Sequence, residues 1–258
     1  MASGPFPSRV REPEDALPAL RELGFAERDA RVLAEHFVDA ELRGKRGHGL
    51  ARIEWLATRD IDVDARPERL VSEEAFERWD GRGALGYLTL AEICEAQIAS
   101  PPEHARVVVA SNCFPTGMLG HWTRKLASGG LVAVLTATSP ARLGHPDGGP
   151  ALAGTNPLSI AVPSSDGRPV VADVSMGQVT YGDVIAGIAS EEELVPFGSD
   201  QAHKAFALAL GLQLLVDSLA GEGYGAVLLV ARPEADPVPA LRRVAAGIRL
   251  PGDGDTKA

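Results

Sequence analysis

The chain has 258 residues, 25 Lys and Arg against 35 Asp and Glu, a formal charge of −10, 45% apolar residues and only 5% aromatics. The charge argues against a broad nucleic-acid-binding face, and the core must be built from Ala, Val, Leu and Ile in one large domain or two interleaved lobes. Two cysteines, Cys94 and Cys113, make neither a disulfide framework nor a CxxC pair, and without a signal-like start or a run of ~18 uninterrupted apolar residues a soluble cytoplasmic protein is expected.

Residues 1–13, with Pro5, Pro7 and Pro13, read as a loose leader. Helices are predicted over 14–23, closed by Gly24, and over 26–42, closed by Gly44. A third runs over 49–58. Residues 60–80 are charged and irregular, with one short strand over 71–79 and a turn at Asp80-Gly81. A helix over 89–98 and a β-branched strand over 106–110 follow. The loop SNCFPTG then leads into a helix over 118–127, and Gly129-Gly130 introduces a strand over 131–137. Residues 138–156 form a long Pro- and Gly-rich loop containing His145, of a length often tied to function. Strands over 158–162 and 169–173 flank a turn at Asp166-Gly167. Little pattern is visible from 178 to 199. Ser199 is a plausible cap for a helix over 200–219, apolar almost all round and so expected to be buried. A strand over 225–231, a helix over 238–246 and a polar tail from Asp253 end the chain.

The stretch ELRGKRGHGLAR (41–52) stands out, with His48 between two glycines and Arg52 four residues on. On a continuous helix the two side chains would share one face. An imidazole that can carry a proton, beside a fixed cation that can hold a carboxylate, suits chemistry on an anionic substrate. A His-Gly pair at this point also has an ordinary structural reading. No GxGxxG follows a strand, so a Rossmann site has no support. No P-loop, HExxH or GxSxG is present, the six histidines are scattered, and no metal site is expected.

Five stretches, in order, resemble the malate/L-lactate dehydrogenase family of non-Rossmann NAD(P)-dependent oxidoreductases. They are DAELRGKRGHGLARIEWL, LVAVLTATSP with GHPDGG, LAGTNPLSIAVP, PVVADVSMG and QAHKAFALALGLQLLVDSLAG. The resemblance implies an α/β, mixed-sheet, malate/L-lactate dehydrogenase-like fold. It also implies an NAD or NADP cofactor, a small anionic substrate and a homodimer, while the charge and the lack of a long apolar run lead us to expect no nucleic-acid or membrane partner. It suggests a helical and substrate lobe over 1–128, a shortened cofactor lobe over 129–209 and a return over 210–258. By position His48 and Arg52 would line the substrate pocket, Arg52 gripping a carboxylate. Ser139, Asp173, Val174, Ser175 and Lys204 would approach the dinucleotide, and Asn156 would shape the same cleft. Read as residues alone, Lys204 is a helix-start cation able to reach a phosphate or simply solvated. Asp173 is a strand-end acceptor or a cap.

The chain departs from the family pattern in places. Cys113 lies where a second histidine is expected, and it reads either as a weak proton carrier or as a small buried residue. Gly47 replaces a serine, Asp183 a lysine, and HKAFA stands for HKGYG. The first reading is therefore an NAD(P)H-dependent reductase of a 2-oxo acid or imine bearing a carboxylate, with His48 as proton carrier. An imine suits a weakened general acid, because hydride transfer to an iminium gives a neutral amine directly. The alternatives are loss of the cofactor, with non-redox elimination, hydration or cyclisation on His48 as base, and a non-catalytic partner protein.

Overall fold

The computed structural model describes residues 10–253; the expected leader before residue 10 and tail after 253 lie outside them. The chain begins with α1 (Ala16–Glu22) and α2 (Glu27–Leu42), continues through α3 (Ala51–Ala57), and then forms β1 (Glu68–Ser72) and β2 (Phe76–Asp80). Next come α4 (Gly86–Ala99), β3 (Ala105–Ser111), α5 (Leu119–Ser128) and β4 (Val132–Ala137). After a long loop follow β5 (Leu158–Val162), β6 (Val170–Val174), α6 (Tyr181–Ile185), α7 (Ala202–Ala220), β7 (Ala226–Ala231) and α8 (Val238–Val244).

The strands form one mixed sheet in the order β1-β2-β3-β7-β4-β5-β6. Only the β2–β3 pair is parallel. It needs a crossover, which α4 supplies. The last strand in sequence returns to the middle, pairing with β3 and β4. All three expected segments thus contribute to one sheet. The single strand expected over 71–79 is two antiparallel strands. The turn between them is closed by the Glu73 N–H on the Phe76 carbonyl at 2.9 Å, and its charged residues hide it from a reading of periodicity.

One sheet face, with Val108, Leu228, Val230 and Leu135, is buried against α4 and α5, and α1 to α3 pack behind those helices. On the other face the register aligns Val107, Leu229, Val134, Ile160 and Ala172 in a row across five strands. The helix packed on that face is α7, which touches β3, β7 and β4. Leu229 stays 41% and Ile160 40% exposed. The expectation that α7 is buried therefore holds on one side only. Ala205, Ala209 and Val216 face the protein, while Leu208, Leu214, Leu215 and Leu219 are exposed. Ser199–Ala220 is long and apolar enough to cross a membrane by length and composition, but here it covers one end of a sheet.

Candidate active site

A cavity of about 110 Å³ opens where the α2–α3 connection, the loop after β3, the ends of β4 and β6 and the start of α6 meet. That is the scale of a small organic molecule, given that an engineered cavity of about 150 Å³ holds benzene. Lys45 and His48 come from the α2–α3 connection and Arg52 from the first turn of α3, and residues 114–119 form a second wall. Thr138, Ser139 and Arg142 follow β4, Asp173 and Ser175 end β6, and Thr180 to Gly182 open α6.

His48 and Arg52 do meet here, though not as neighbours on one helix. Arg46–His48 is a 3-10 turn, and Gly49, at φ −91° and ψ −143°, is extended and breaks the helix before α3. The glycines beside His48 are points of close approach. A Cβ on Gly49 would strike the Glu41 carboxylate, which accepts the Leu50 N–H at 3.0 Å. A Cβ on Gly47 would strike Asp183 and the Gly182 backbone. That contact presses α6 onto the His48 turn. Thr180 caps α6 by accepting the Asp183 N–H at 3.2 Å, while the Asp183 carboxylate takes the Thr180 N–H and hydroxyl at 2.8 Å each.

Arg52 is 6% exposed, its guanidinium lies 4.2 Å above the Trp55 ring, and neither Nε nor Nη1 has a hydrogen-bond partner. A buried cation without a counter-charge is costly, and an arriving carboxylate relieves that cost with a paired, forked contact. His48 is partly open to the cavity. Burial, then the positive charges of Arg52 and Lys45, push its pKa down to about 4 against the pull of Asp183. The imidazole is therefore neutral at pH 7, and its Nδ1 is buried without a partner.

The remaining expected residues divide. Ser139, Asp173 and Ser175 line the cavity. Burial raises the Asp173 pKa against the opposing pull of the Gly120 N–H at the start of α5. A side chain on Gly120 would crowd that carboxylate, which lies against the first turn of α5. Asn156 is fully buried behind the wall. It donates to the Ala209 carbonyl at 3.0 Å and to Gln213 Oε1 at 2.8 Å, and accepts the Ser139 N–H at 3.2 Å, which ties α7 to the end of β4. Val174 points outward, 45% exposed, and Lys204 is exposed; neither lines the cavity.

Cys113 needs correcting as a candidate proton carrier. It is fully buried in the main core, its Sγ lies 3.9 Å from the Gly86 carbonyl, and it is absent from the cavity wall. Burial pushes its thiol up to about 12, so it stays protonated and inert. Cys94 is buried in the same core, and its thiol too is pushed up to about 12. We expect neither thiol to react with a disulfide reagent at pH 8 until the chain is unfolded. Thiol titration with and without denaturant checks this, and rapid labelling of the native chain at Cys113 would contradict it.

Three features of the site escaped sequence reading. Lys45 and Arg142 line the cavity. Beneath it, fully buried His36 accepts the Met118 N–H at 2.9 Å, and Trp122 donates to the Thr116 carbonyl at 2.9 Å, fixing the 114–119 wall. Burial holds His36 well below the usual histidine range, so its unprotonated Nε2 is free to accept. The helical spacing of His36 in α2 was the available signal, and it looks the same for a core residue.

Comparison with known proteins decides the lineage. A family model described as malate/L-lactate dehydrogenase matches residues 16–194. The chain belongs to the malate/L-lactate dehydrogenase family. This family member is 28% identical over 246 residues to a (2R)-3-sulfolactate dehydrogenase (NADP(+)) of Chromohalobacter salexigens, covering 84% of this chain and 73% of the relative. It is 32% identical over 170 residues to the 2,3-diketo-L-gulonate reductase of Citrobacter koseri, covering 62% and 49%. The chain thus spans about half the length of that reductase. Its fold matches malate dehydrogenase from Entamoeba histolytica with a TM-score of 0.79 at 19% identity, covering 93% of this chain and 85% of that one. It also matches delta1-piperideine-2-carboxylate reductase from Pseudomonas syringae, at 0.78 and 22%, covering 95% and 92%. At these identities the likeness speaks to the fold.

Proposed function

We propose that this family member is an NAD(P)H-dependent reductase of a small carboxylate-bearing 2-oxo acid or imine. The observation that carries the reading is Arg52, a buried and unpartnered guanidinium in the same cavity as His48. The relatives support it, being named as an NADP(+)-dependent sulfolactate dehydrogenase, a diketogulonate reductase and a piperideine-carboxylate reductase.

The cavity suits the nicotinamide end of the cofactor. Ser139, Thr155, Asp173 and Ser175 form a polar edge of hydroxyls and one carboxyl, a donor and acceptor set that matches a carboxamide and ribose hydroxyls. The exposed Lys204 remains available only to a part of the dinucleotide lying outside this cavity. When bound, the nicotinamide supplies the hydride. Arg52 holds and orients the substrate carboxylate, and the apolar wall of residues 114–119 excludes water. His48 moves the proton. In the oxidative direction its neutral ring takes the alcohol proton directly. In reduction it must first be charged, which the negative substrate beside it favours. An iminium substrate avoids that demand, so the low pKa of His48 leans toward an imine.

Adding NADPH or NADH near saturation should raise the melting temperature, since a ligand at ~100 Kd stabilises by about 2.7 kcal/mol. No shift with either would sink the reading. The neutral imidazole also favours a second reading, cofactor-independent base chemistry on His48, which a nicotinamide-independent activity lost in His48→Asn would establish.

We further propose a homodimer that acts in the cytoplasm. The apolar row across the sheet and the outer face of α7 support the dimer, since homodimer interfaces are unusually apolar. Sedimentation showing a monomer at micromolar concentration would remove that part.

A further inference from the structure

We propose that Arg142, held over the Tyr181 ring, is a second anion anchor in the cavity and that the substrate carries a second acidic group besides the carboxylate held by Arg52. The inference deepens the substrate-site reading above and rests on it.

The Arg142 guanidinium carbon lies 3.5 Å from the centroid of the Tyr181 ring. Its Nε is buried without a hydrogen-bond partner, and among the described residues no carboxylate pairs with it. It lines the same cavity as Arg52, whose guanidinium is likewise unpaired. Arg52 is buried and Arg142 is half-buried with its Nε sealed, so two unpaired guanidinium groups line one small cavity. One carboxylate can neutralise only one of them.

The placement is also built. The Arg142 N–H donates to the Ala153 carbonyl at 2.8 Å, and Leu143 next to it bridges to Ala153 and is fully buried. The platform is fixed from the other side, because Tyr181 opens α6, which the Gly47–Gly182 contact locks to the His48 turn. A contact through the ring face uses none of the guanidinium N–H groups, which stay available for forked contacts with an oxyanion. Substrate selection between one acidic group and two therefore falls to Arg142, and Tyr181 is its positioning residue.

L-Malate and L-lactate are a matched pair of probes, differing by one carboxylate on the same 2-hydroxy acid. Calorimetric titration of the full chain, with NADPH present so that neither hydroxy acid can be oxidised, should show malate bound more tightly. Arg142→Ala should weaken malate roughly 10- to 100-fold, the range of a charge-assisted hydrogen bond, and leave lactate within about twofold. Arg142→Lys, which keeps the charge and loses the fork and the stacking, should fall between, and it stands in if the alanine variant folds poorly. Arg52→Met, by contrast, should weaken both probes, so failure of the carboxylate site and failure of the second anchor give different patterns. Equal binding of the two probes by the unaltered chain, or binding of neither, would overturn the proposal. So would an Arg142→Ala variant that loses NADPH affinity with its malate preference intact, which would assign the group to a cofactor phosphate.

Discussion

His48→Asn is expected to lower turnover on the order of 10²–10⁴-fold, the usual contribution of a positioned acid or base, with little change in cofactor affinity. The reason is local. Among the titratable groups on the cavity wall, His48 is the imidazole, and Cys113 is sealed in the core with its thiol pushed up to about 12. The pH dependence has a definite sign. With its pKa down to about 4, His48 is already in its base form from pH 5 to 8. The kcat/KM for oxidising a 2-hydroxy acid should therefore be flat on the His48 limb over that range and fall only below about pH 4. Reduction of a 2-oxo acid needs the charged ring, so its kcat/KM should fall about tenfold per pH unit as pH rises across the same range. Reduction of a preformed iminium needs no proton from His48 and should lack that slope. Steady-state rates in both directions with each substrate class read this out, and a His48→Asn variant with full activity would overturn the assignment.

Arg52→Met should separate function from stability. Loss of the forked carboxylate contact should raise KM for the acid by roughly 10- to 150-fold, the equivalent of about 1.5–3 kcal/mol for a charge-assisted hydrogen bond. The melting temperature should not drop, and a rise is the expected direction. Methionine fills much of the same space and removes a buried cation whose Nε and Nη1 are unpartnered, although the contact with Trp55 is lost. The same change should bring the His48 pKa back up from about 4, because Arg52 is the second cause of its depression after burial. NMR titration of the His48 ring in the variant checks that direction. A large fall in stability with KM unchanged would show Arg52 to be a structural cation instead.

Much of the fold was legible because periodicity reports burial on one face. The strands over 106–110, 158–162 and 225–231 lie within about a residue of β3, β5 and β7. The β1–β2 pair was missed as a pair because β1 is almost wholly exposed and β2, which does alternate in burial, places the charged Glu77 on its buried side, so no apolar alternation shows in the sequence. The expected burial of α7 came from its composition, but composition cannot say whether a second layer exists to cover a helix.

The site was readable where local chemistry is unusual. His48 between glycines and Arg52 one turn on drew notice, and both line the cavity. The reason for the glycines could not be seen, since they make room for Glu41 and for the Asp183–Gly182 segment far along the chain. Arg142 sat unnoticed in a loop of prolines and glycines, where only the fold brings it onto Tyr181. Cys113 shows the opposite case. Aligned with an expected histidine it read as either a weak proton carrier or a small buried residue, and its surroundings make it core.

The most direct test of the proposed reductase uses NADPH or NADH deuterated at the transferable position of the nicotinamide. The full chain is incubated with each cofactor and either a 2-oxo acid or a cyclic imino acid that bears a carboxylate, and the product is read by mass spectrometry and NMR. The account predicts deuterium on the former carbonyl or imine carbon, in a product that the Arg52→Met variant makes far more slowly at subsaturating substrate. No transfer to either substrate class, from either cofactor at saturation, would contradict it.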